Sequence, residues 1–327
     1  MSKIAFVFPG QGSQSVGMGK ELFEHFAEAR EVFGAADDAL AAGDALLPEG
    51  KLSALCFEGP DEALRLTANA QPAILTVSLA AHAVARKRLP RPDYVAGHSL
   101  GEFSALAASE AFPLQDAVRA VRARGRLMQE AVPVGQGAMS AVLGLTSEQV
   151  AQACRETEAE LALLGRPTEK VQLANLNEPA QTVISGHAEA VAKAGARALA
   201  MGAKRVIPLP VSAPFHSSLM EPVQNPLREL LESMAFKAPT APVVTNVEAS
   251  PNADPGRIVP LLVAQVTAPV RWAETILQLR ALGVDRFVEL GPGRVLSGLI
   301  KRIDRAAQVF NVEDPASLEK TEAGLKA

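Results

Sequence analysis

The chain has 327 residues, 48% of them hydrophobic and 21% charged, with a net charge of −4. This balance excludes a disordered chain, a coiled coil and a fibre, and it leaves no basic surplus for a nucleic-acid backbone. Aromatic residues make up 4%, with Trp272 and Tyr94 alone of their kinds, too few for base-stacking platforms.

The chain opens Met1-Ser2-Lys3 and passes directly into Ile4-Ala5-Phe6-Val7-Phe8. Five apolar residues are too few for a signal-peptide core or a membrane span, so the expectation is a soluble, cytoplasmic protein that avoids membranes and nucleic acid. Lys3 to Phe8 reads as a buried strand stopped by Pro9-Gly10, followed by the glycine-rich loop Gly10 to Gly19. Helical patterns cover Lys20 to Leu40 and Gln71 to Leu89. Cys56 and Cys154 are too few for a disulfide framework or a four-thiolate zinc site and read as reduced structural thiols. Tyr94 to Gly97 is a second short strand, Ser99 opens a helix toward Ser109, and Leu114 to Glu130 is a long helix ended by Pro133.

Next come a strand at Ala138 to Leu143, a helix from Ser147 to about Ala159, and strands at Gln172 to Asn175 and Gln181 to Ser185. A helix at Ala188 to Met201 and a strand at Arg205 to Leu209 complete the group. That order, βαββαβ, is the ferredoxin-like pattern. It predicts an insertion over 132–205 within an α/β body formed by 1–131 and 206–327. The remainder alternates again. Helices are expected near Leu219 to Met234, Pro260 to Val266, Arg271 to Ala281 and Val295 to Ile303, and strands at Pro242 to Asn246, Arg286 to Leu290 and Gln308 to Asn311. The charges of Glu313 to Lys320 read as a solvated helix face.

Gly97-His98-Ser99-Leu100-Gly101 is a G-x-S-x-G pentapeptide between a strand and a helix, the context of a nucleophile elbow. The sharp turn strains the serine backbone, and glycine two places either side avoids collision. The helix start beyond Ser99 offers free N–H groups to a developing oxyanion. Ser99 with Glu102 also fits a plain capping box. A serine nucleophile needs a base, and five histidines are available. His25 and His82 fall in amphipathic helix patterns, His187 at a turn where it would cap, and His98 on a diverging neighbour of the serine. His216 sits in a proline-rich loop after a strand and leads. No acid in a telling loop completes a triad; Asp116 sits near a helix start, where capping is its plain role. A dyad with a neutrally oriented histidine stays open. The loop Gly10-Gln11-Gly12-Ser13-Gln14 lacks the P-loop lysine and does not fit G-x-G-x-x-G. It can cradle a phosphate, supply a second oxyanion N–H, or simply turn the chain. On the long helix Arg122 and Arg126 share a face and Arg124 points elsewhere; an inward Arg124 needs an anion such as a substrate carboxylate.

These motifs occur in one order: Phe8 to Gln14, Gly97 to Glu102, Arg124-Gly125 with Met128-Gln129, Asn175 to Gly186, Ala213 to Ser217, and Glu289 to Gly293. Together they resemble the malonyl-CoA:acyl carrier protein transacylases of fatty acid synthesis, over nearly the whole chain. The resemblance implies a hydrolase-like α/β body with a parallel sheet and a ferredoxin-like insertion. It implies malonyl transfer from malonyl-CoA to holo acyl carrier protein through a serine ester. It makes Ser99 the nucleophile, His216 the base and Arg124 the malonyl-carboxylate ligand. The backbone N–H groups of Gln11 and Leu100 form the oxyanion hole, and the backbone carbonyl of Gln265 orients the histidine. No metal or bound cofactor is implied, and a monomer is. Leu100 and Phe215 go with malonyl rather than methylmalonyl substrates. The chain departs from frequent family residues at Phe103, where tyrosine is common, and at Ala268, where asparagine is. An esterase or thioesterase shares the elbow and base but admits water, and a non-catalytic carrier-docking module is a third reading. Arg122, Arg126, Lys204 and Lys301 are candidates for meeting an acidic carrier.

Overall fold

The computed structural model describes residues 2–40, 50–211 and 213–326; Ser212 of the proline-rich loop lies outside them. Ten strands are described: β1 (Lys3–Phe8), β2 (Tyr94–Gly97), β3 (Gly137–Leu143), β4 (Val171–Glu178), β5 (Gln181–His187), β6 (Arg205–Pro208), β7 (Val243–Val244), β8 (Pro251–Asn252), β9 (Val284–Leu290) and β10 (Gln308–Val312). They form two sheets. The larger has the order β10-β9-β1-β2-β7-β8, parallel from β10 to β7, with only β8 antiparallel to its neighbour. The fold is therefore mixed α/β around a largely parallel sheet.

The period of two along the central strands explains why this sheet is covered on both faces. Ile4, Phe6 and Phe8 join one apolar cluster, and Ala5 and Val7 the other. Val95 and Ala96 divide the same way, as do Val243 and Val244. Helices including Ala27–Leu40, Thr67–Ala85 and Leu114–Glu130 contribute to the first cluster, Trp272–Ala281 and Val295–Ile303 to the second.

The smaller sheet has the order β4-β5-β3-β6 with every pair antiparallel. Helices Ser147–Leu163 and Ala188–Ala200 pack on one face with Val142 and Ile184, while Met139, Ala141 and Val183 join the core of the larger body. β4 is also tied to the loop after Gln265: Leu176 N–H donates to the Val270 carbonyl at 2.8 Å, and Val270 N–H to Ala174 at 2.9 Å.

Several expectations are corrected. The pattern over Lys20 to Leu40 is two helices, Lys20–His25 and Ala27–Leu40, broken where Phe26 takes extended backbone. The helix expected at Gln71 to Leu89 spans Thr67–Ala85 and is not amphipathic: every residue but His82 and Ala83 is buried, because it runs between the sheet and outer helices. Helices Leu52–Glu58 and Asp61–Arg65 were not expected. The next helix begins at Ser147 as expected but runs on to Leu163, and Thr146 caps it through a reciprocal box with Gln149. Asp116 lies inside its helix and pairs with Arg119 rather than capping. Glu313 is not on a solvated helix face; it precedes the helix Pro315–Lys326 and accepts from Gly293 N–H at 3.1 Å.

Candidate active site

β1 and β2 run side by side with Phe8 opposite Gly97, so the loops leaving both strands emerge together. His98 N–H donates to the Phe8 carbonyl at 3.1 Å, which brings the Gln11 loop against the Ser99 turn. The turn is sharp. Ser99 adopts φ 52° and ψ −104°, a region costly for a side chain, by about 1–3 kcal/mol. Close approach explains its glycines: a Cβ on Gly97 would overlap the Gly101 backbone, and one on Gly101 the Phe8 carbonyl. The Ser99 side chain makes no capping bond to the helix Leu100–Ala108, so the capping-box alternative is set aside.

Asn246, fully buried after β7, braces this turn. Its Oδ1 accepts from Ser99 N–H at 2.7 Å and its Nδ2 donates to the Gly97 carbonyl at 2.6 Å. One amide thus grips the backbone on both sides of His98. Sequence reasoning missed Asn246, because nothing local marks an asparagine that acts 147 residues away.

Ser99 Oγ lies 2.8 Å from His216 Nε2, and His216 Nδ1 lies 2.9 Å from the Gln265 carbonyl. A carbonyl only accepts, so Nδ1 carries the proton and Nε2 is free to accept from the serine. His216 is buried and itself holds φ 57°. Burial, then the nearby Arg124 cation, pushes its pKa down to about 3, so the imidazole is neutral near pH 7.

Arg124 is 1% exposed. Its Nη1 donates to Gln71 Oε1 at 2.8 Å, and its Nη2 to Gln265 Oε1 at 2.9 Å and to Ser99 Oγ at 3.1 Å. The guanidinium lies 5.4 Å from the Phe103 ring centroid, which gives it an apolar platform. Its hydrogen-bond partners here are neutral oxygens, while a buried guanidinium is best matched by an anion. Burial pulls its pKa down to about 10, opposed by Glu102. Glu102, 2% exposed, is pushed up to about 7 by burial, opposed by hydrogen bonds from Asn246 and Gln265 and by Arg124.

The six residues singled out from the sequence thus converge. Gln11, Ser99, Leu100, Arg124 and His216 line one cavity of about 330 Å³, with Gln71, Met128, Phe215 and others, and Gln265 stands behind it. Leu100 is the first residue of its helix, so its N–H has no carbonyl within the helix. The other arginine expectation fails in part. Arg122 is buried and donates to Ala68 O at 2.6 Å and to Asn69 Oδ1, so it belongs to helix packing rather than to an open basic face; Arg126 is exposed. His187 stands at the N-cap position of helix Ala188–Ala200, as expected, but its side chain makes no capping bond; its ring nitrogen accepts from Lys170 N–H at 2.9 Å instead. His98 points away from the serine, as expected, with Nε2 2.9 Å from Asn177 Oδ1. Among the described residues no cluster of His, Cys, Asp or Glu could hold a metal ion, and no helix is long and apolar enough to cross a membrane.

A strained serine, a neutral histidine and a buried guanidinium meet at one cavity. The acyl transferase domain model matches residues 5–318. The malonyl CoA-acyl carrier protein transacylase of Bacillus subtilis (strain 168) is 48% identical over 326 residues, covering 100% of this chain and 98% of that protein. The structure of the transacylase of the same name from Coxiella burnetii superposes with a TM-score of 0.93 at 39% identity, covering 100% of this chain and 98% of that one. A malonyl-transacylase in complex with a holo type II PKS acyl-carrier protein gives a TM-score of 0.91 at 41% identity, covering 99% and 100%. The chain belongs to the acyl transferase domain family, and within it to the malonyl CoA-acyl carrier protein transacylases, which are S-malonyltransferases.

Proposed function

We propose that the chain moves a malonyl group from CoA to the phosphopantetheine thiol of an acyl carrier protein through an ester on Ser99, in two half-reactions. The observation that carries this reading is the Ser99 Oγ–His216 Nε2 contact of 2.8 Å inside the cavity that also holds Arg124. Arg124 takes the malonyl carboxylate, which supplies the anion its neutral partners lack. Ser99 Oγ attacks the thioester carbon while its proton passes to His216 Nε2. The carbonyl oxygen becomes an oxyanion facing the N–H groups of Leu100 and Gln11. Collapse breaks the C–S bond, and the CoA sulfur leaves with the proton from His216. The carrier thiol then gives its proton to the same nitrogen and attacks the ester, and Ser99 Oγ leaves as the hydroxyl.

Malonate also improves the base. Its charge offsets Arg124, one of the causes that depress His216, so carboxylate binding raises the basicity of the imidazole. The reading calls for no metal or bound cofactor; CoA and phosphopantetheine carry the substrate. Leu100 and Phe215 line the cavity where a 2-methyl branch would lie, which favours malonyl over methylmalonyl. We read the architecture as a hydrolase-like body over 1–131 and 206–327 with a ferredoxin-like insertion over 132–205. The strand order β4-β5-β3-β6 supports that reading of the smaller unit. On this reading the protein serves fatty acid synthesis in the cytoplasm, as a monomer.

The test is intact mass after brief exposure to malonyl-CoA, then after adding holo carrier protein. The expected result is one malonyl adduct, mapped to Ser99, absent in Ser99→Ala and discharged onto the carrier. Discharge by buffer at the same rate as by carrier would make the protein a hydrolase. No adduct from malonyl-CoA would overturn the reading.

A further inference from the structure

The buried side chain of Glu102 takes no part in the steps above, yet it lies behind all of them. Its Oε2 accepts from Gln265 Nε2 at 2.8 Å and from Asn246 N–H at 3.0 Å. Gln265 serves two masters. Its backbone carbonyl holds His216 Nδ1, and its side-chain Oε1 holds Arg124 Nη2. Which way the amide faces is fixed by its neighbours. On the nitrogen side stand three acceptors: Glu102 Oε2, the Ser99 carbonyl at 3.1 Å and Asn246 Oδ1 at 3.4 Å. On the oxygen side stands Arg124, which only donates. Of the three acceptors Glu102 is the nearest and the only one that can carry a charge.

We infer that Glu102 is a positioning residue for malonyl selectivity: it locks the Gln265 amide with Oε1 toward Arg124, and so fixes the guanidinium where the malonyl carboxylate must dock. The inference rests on the proposed malonyl transfer and extends it to a residue outside the cavity wall. Without an acceptor at Oε2, the amide can turn its NH₂ toward Arg124. Donor would then face donor, and the guanidinium would be pushed out of register with the carboxylate. The effect is geometric, since it needs an acceptor at that point and not a charge. It is also selective. An acetyl group makes no carboxylate contact, so misplacing Arg124 leaves its transfer comparatively untouched.

The experiment compares Glu102→Gln, Glu102→Asp and Glu102→Met. The rates of Ser99 acylation by malonyl-CoA and by acetyl-CoA are measured per acylatable site. Glutamine keeps an acceptor at the same reach, aspartate keeps the charge but withdraws the acceptor, and methionine removes both. The expected malonyl-to-acetyl ratio of kcat/KM falls about tenfold or more in Glu102→Asp and Glu102→Met and is rescued in Glu102→Gln. If methionine prevents folding, the aspartate and glutamine pair decides alone. An equal loss for both acyl groups in every variant would make Glu102 merely structural and overturn the inference. A fall in Glu102→Gln with retention in Glu102→Asp would replace position by charge and overturn it as well. A wild-type chain with no preference for malonyl over acetyl would instead overturn the substrate reading itself. An intact wild-type preference with an unmoved ratio in the variants would overturn only the role of Glu102.

Discussion

If Arg124 holds the malonyl carboxylate as proposed, Arg124→Ala should separate that recognition from the proposed chemistry at Ser99. The guanidinium is 1% exposed and bonded to neutral oxygens of Gln71, Gln265 and Ser99. A carboxylate docking there forms a desolvated, charge-assisted pair. Breaking such a pair from one side costs about 3–5 kcal/mol, or roughly two to three and a half decades in kcat/KM. Malonyl-CoA should therefore lose about 10²- to 10³-fold or more in single-turnover acylation of Ser99. Acetyl-CoA loses no such pair. Removing the cation also relieves one cause of the depressed His216 pKa, so acetyl transfer should hold or rise. The fold should survive, because the vacated space opens onto a cavity of about 330 Å³ from which water can reach the Gln71 and Gln265 carbonyls. The assay is intact mass at short times with each acyl-CoA, with thermal unfolding as the check on folding. Equal losses for the two substrates in a folded variant would refute the reasoning and place Arg124 in the scaffold.

Gly101→Ala should unfold or strongly destabilise the turn and abolish acylation, because the new Cβ would lie 3.0 Å from the Pro9 carbonyl and inside that of Phe8; a thermally unchanged, active variant would contradict the packing. His216 should stay neutral well below its ordinary value near 6.5, since burial and Arg124 carry it to about 3. The sign follows. Its folded pKa lies below the unfolded one, so its contribution to stability is present above about 6.5 and is lost as pH falls toward 3, where the unfolded chain binds a proton the folded chain refuses. Nitrogen chemical shifts of labelled histidine, assigned against His216→Ala, should keep the Nδ1–H tautomer through pH 5; a titration of His216 near 6.5 would refute this.

Much of the site was legible because local rules produce it. A short apolar run ending in Pro9-Gly10 must be a strand that stops. Gly97 and Gly101 are demanded by a turn so tight that backbone meets backbone. Arg124 could be picked from Arg122 and Arg126 only as the one on another face. Which of those faces was buried stayed hidden, and Arg122 shows why: its partners, Ala68 and Asn69, come from a distant helix. The failure to find a triad acid had the same root. A backbone carbonyl has no sequence signature, and Gln265 could be carried over only by resemblance.

By itself the sequence determined the alternation of strands and helices, the elbow, and the residue types able to attack, accept a proton and hold a carboxylate. These depend on period, turn sterics and side-chain chemistry within a few residues. Tertiary structure decided which histidine meets the serine 117 positions away, and which tautomer it holds. It also decided that Glu102, adjacent in sequence to the elbow, turns inward to Gln265 and Asn246 instead of capping its own helix. The physical reason is that a buried polar group takes whichever partner the packed core leaves within reach, and that partner is set by how the sheet brings distant loops together, not by its neighbours along the chain.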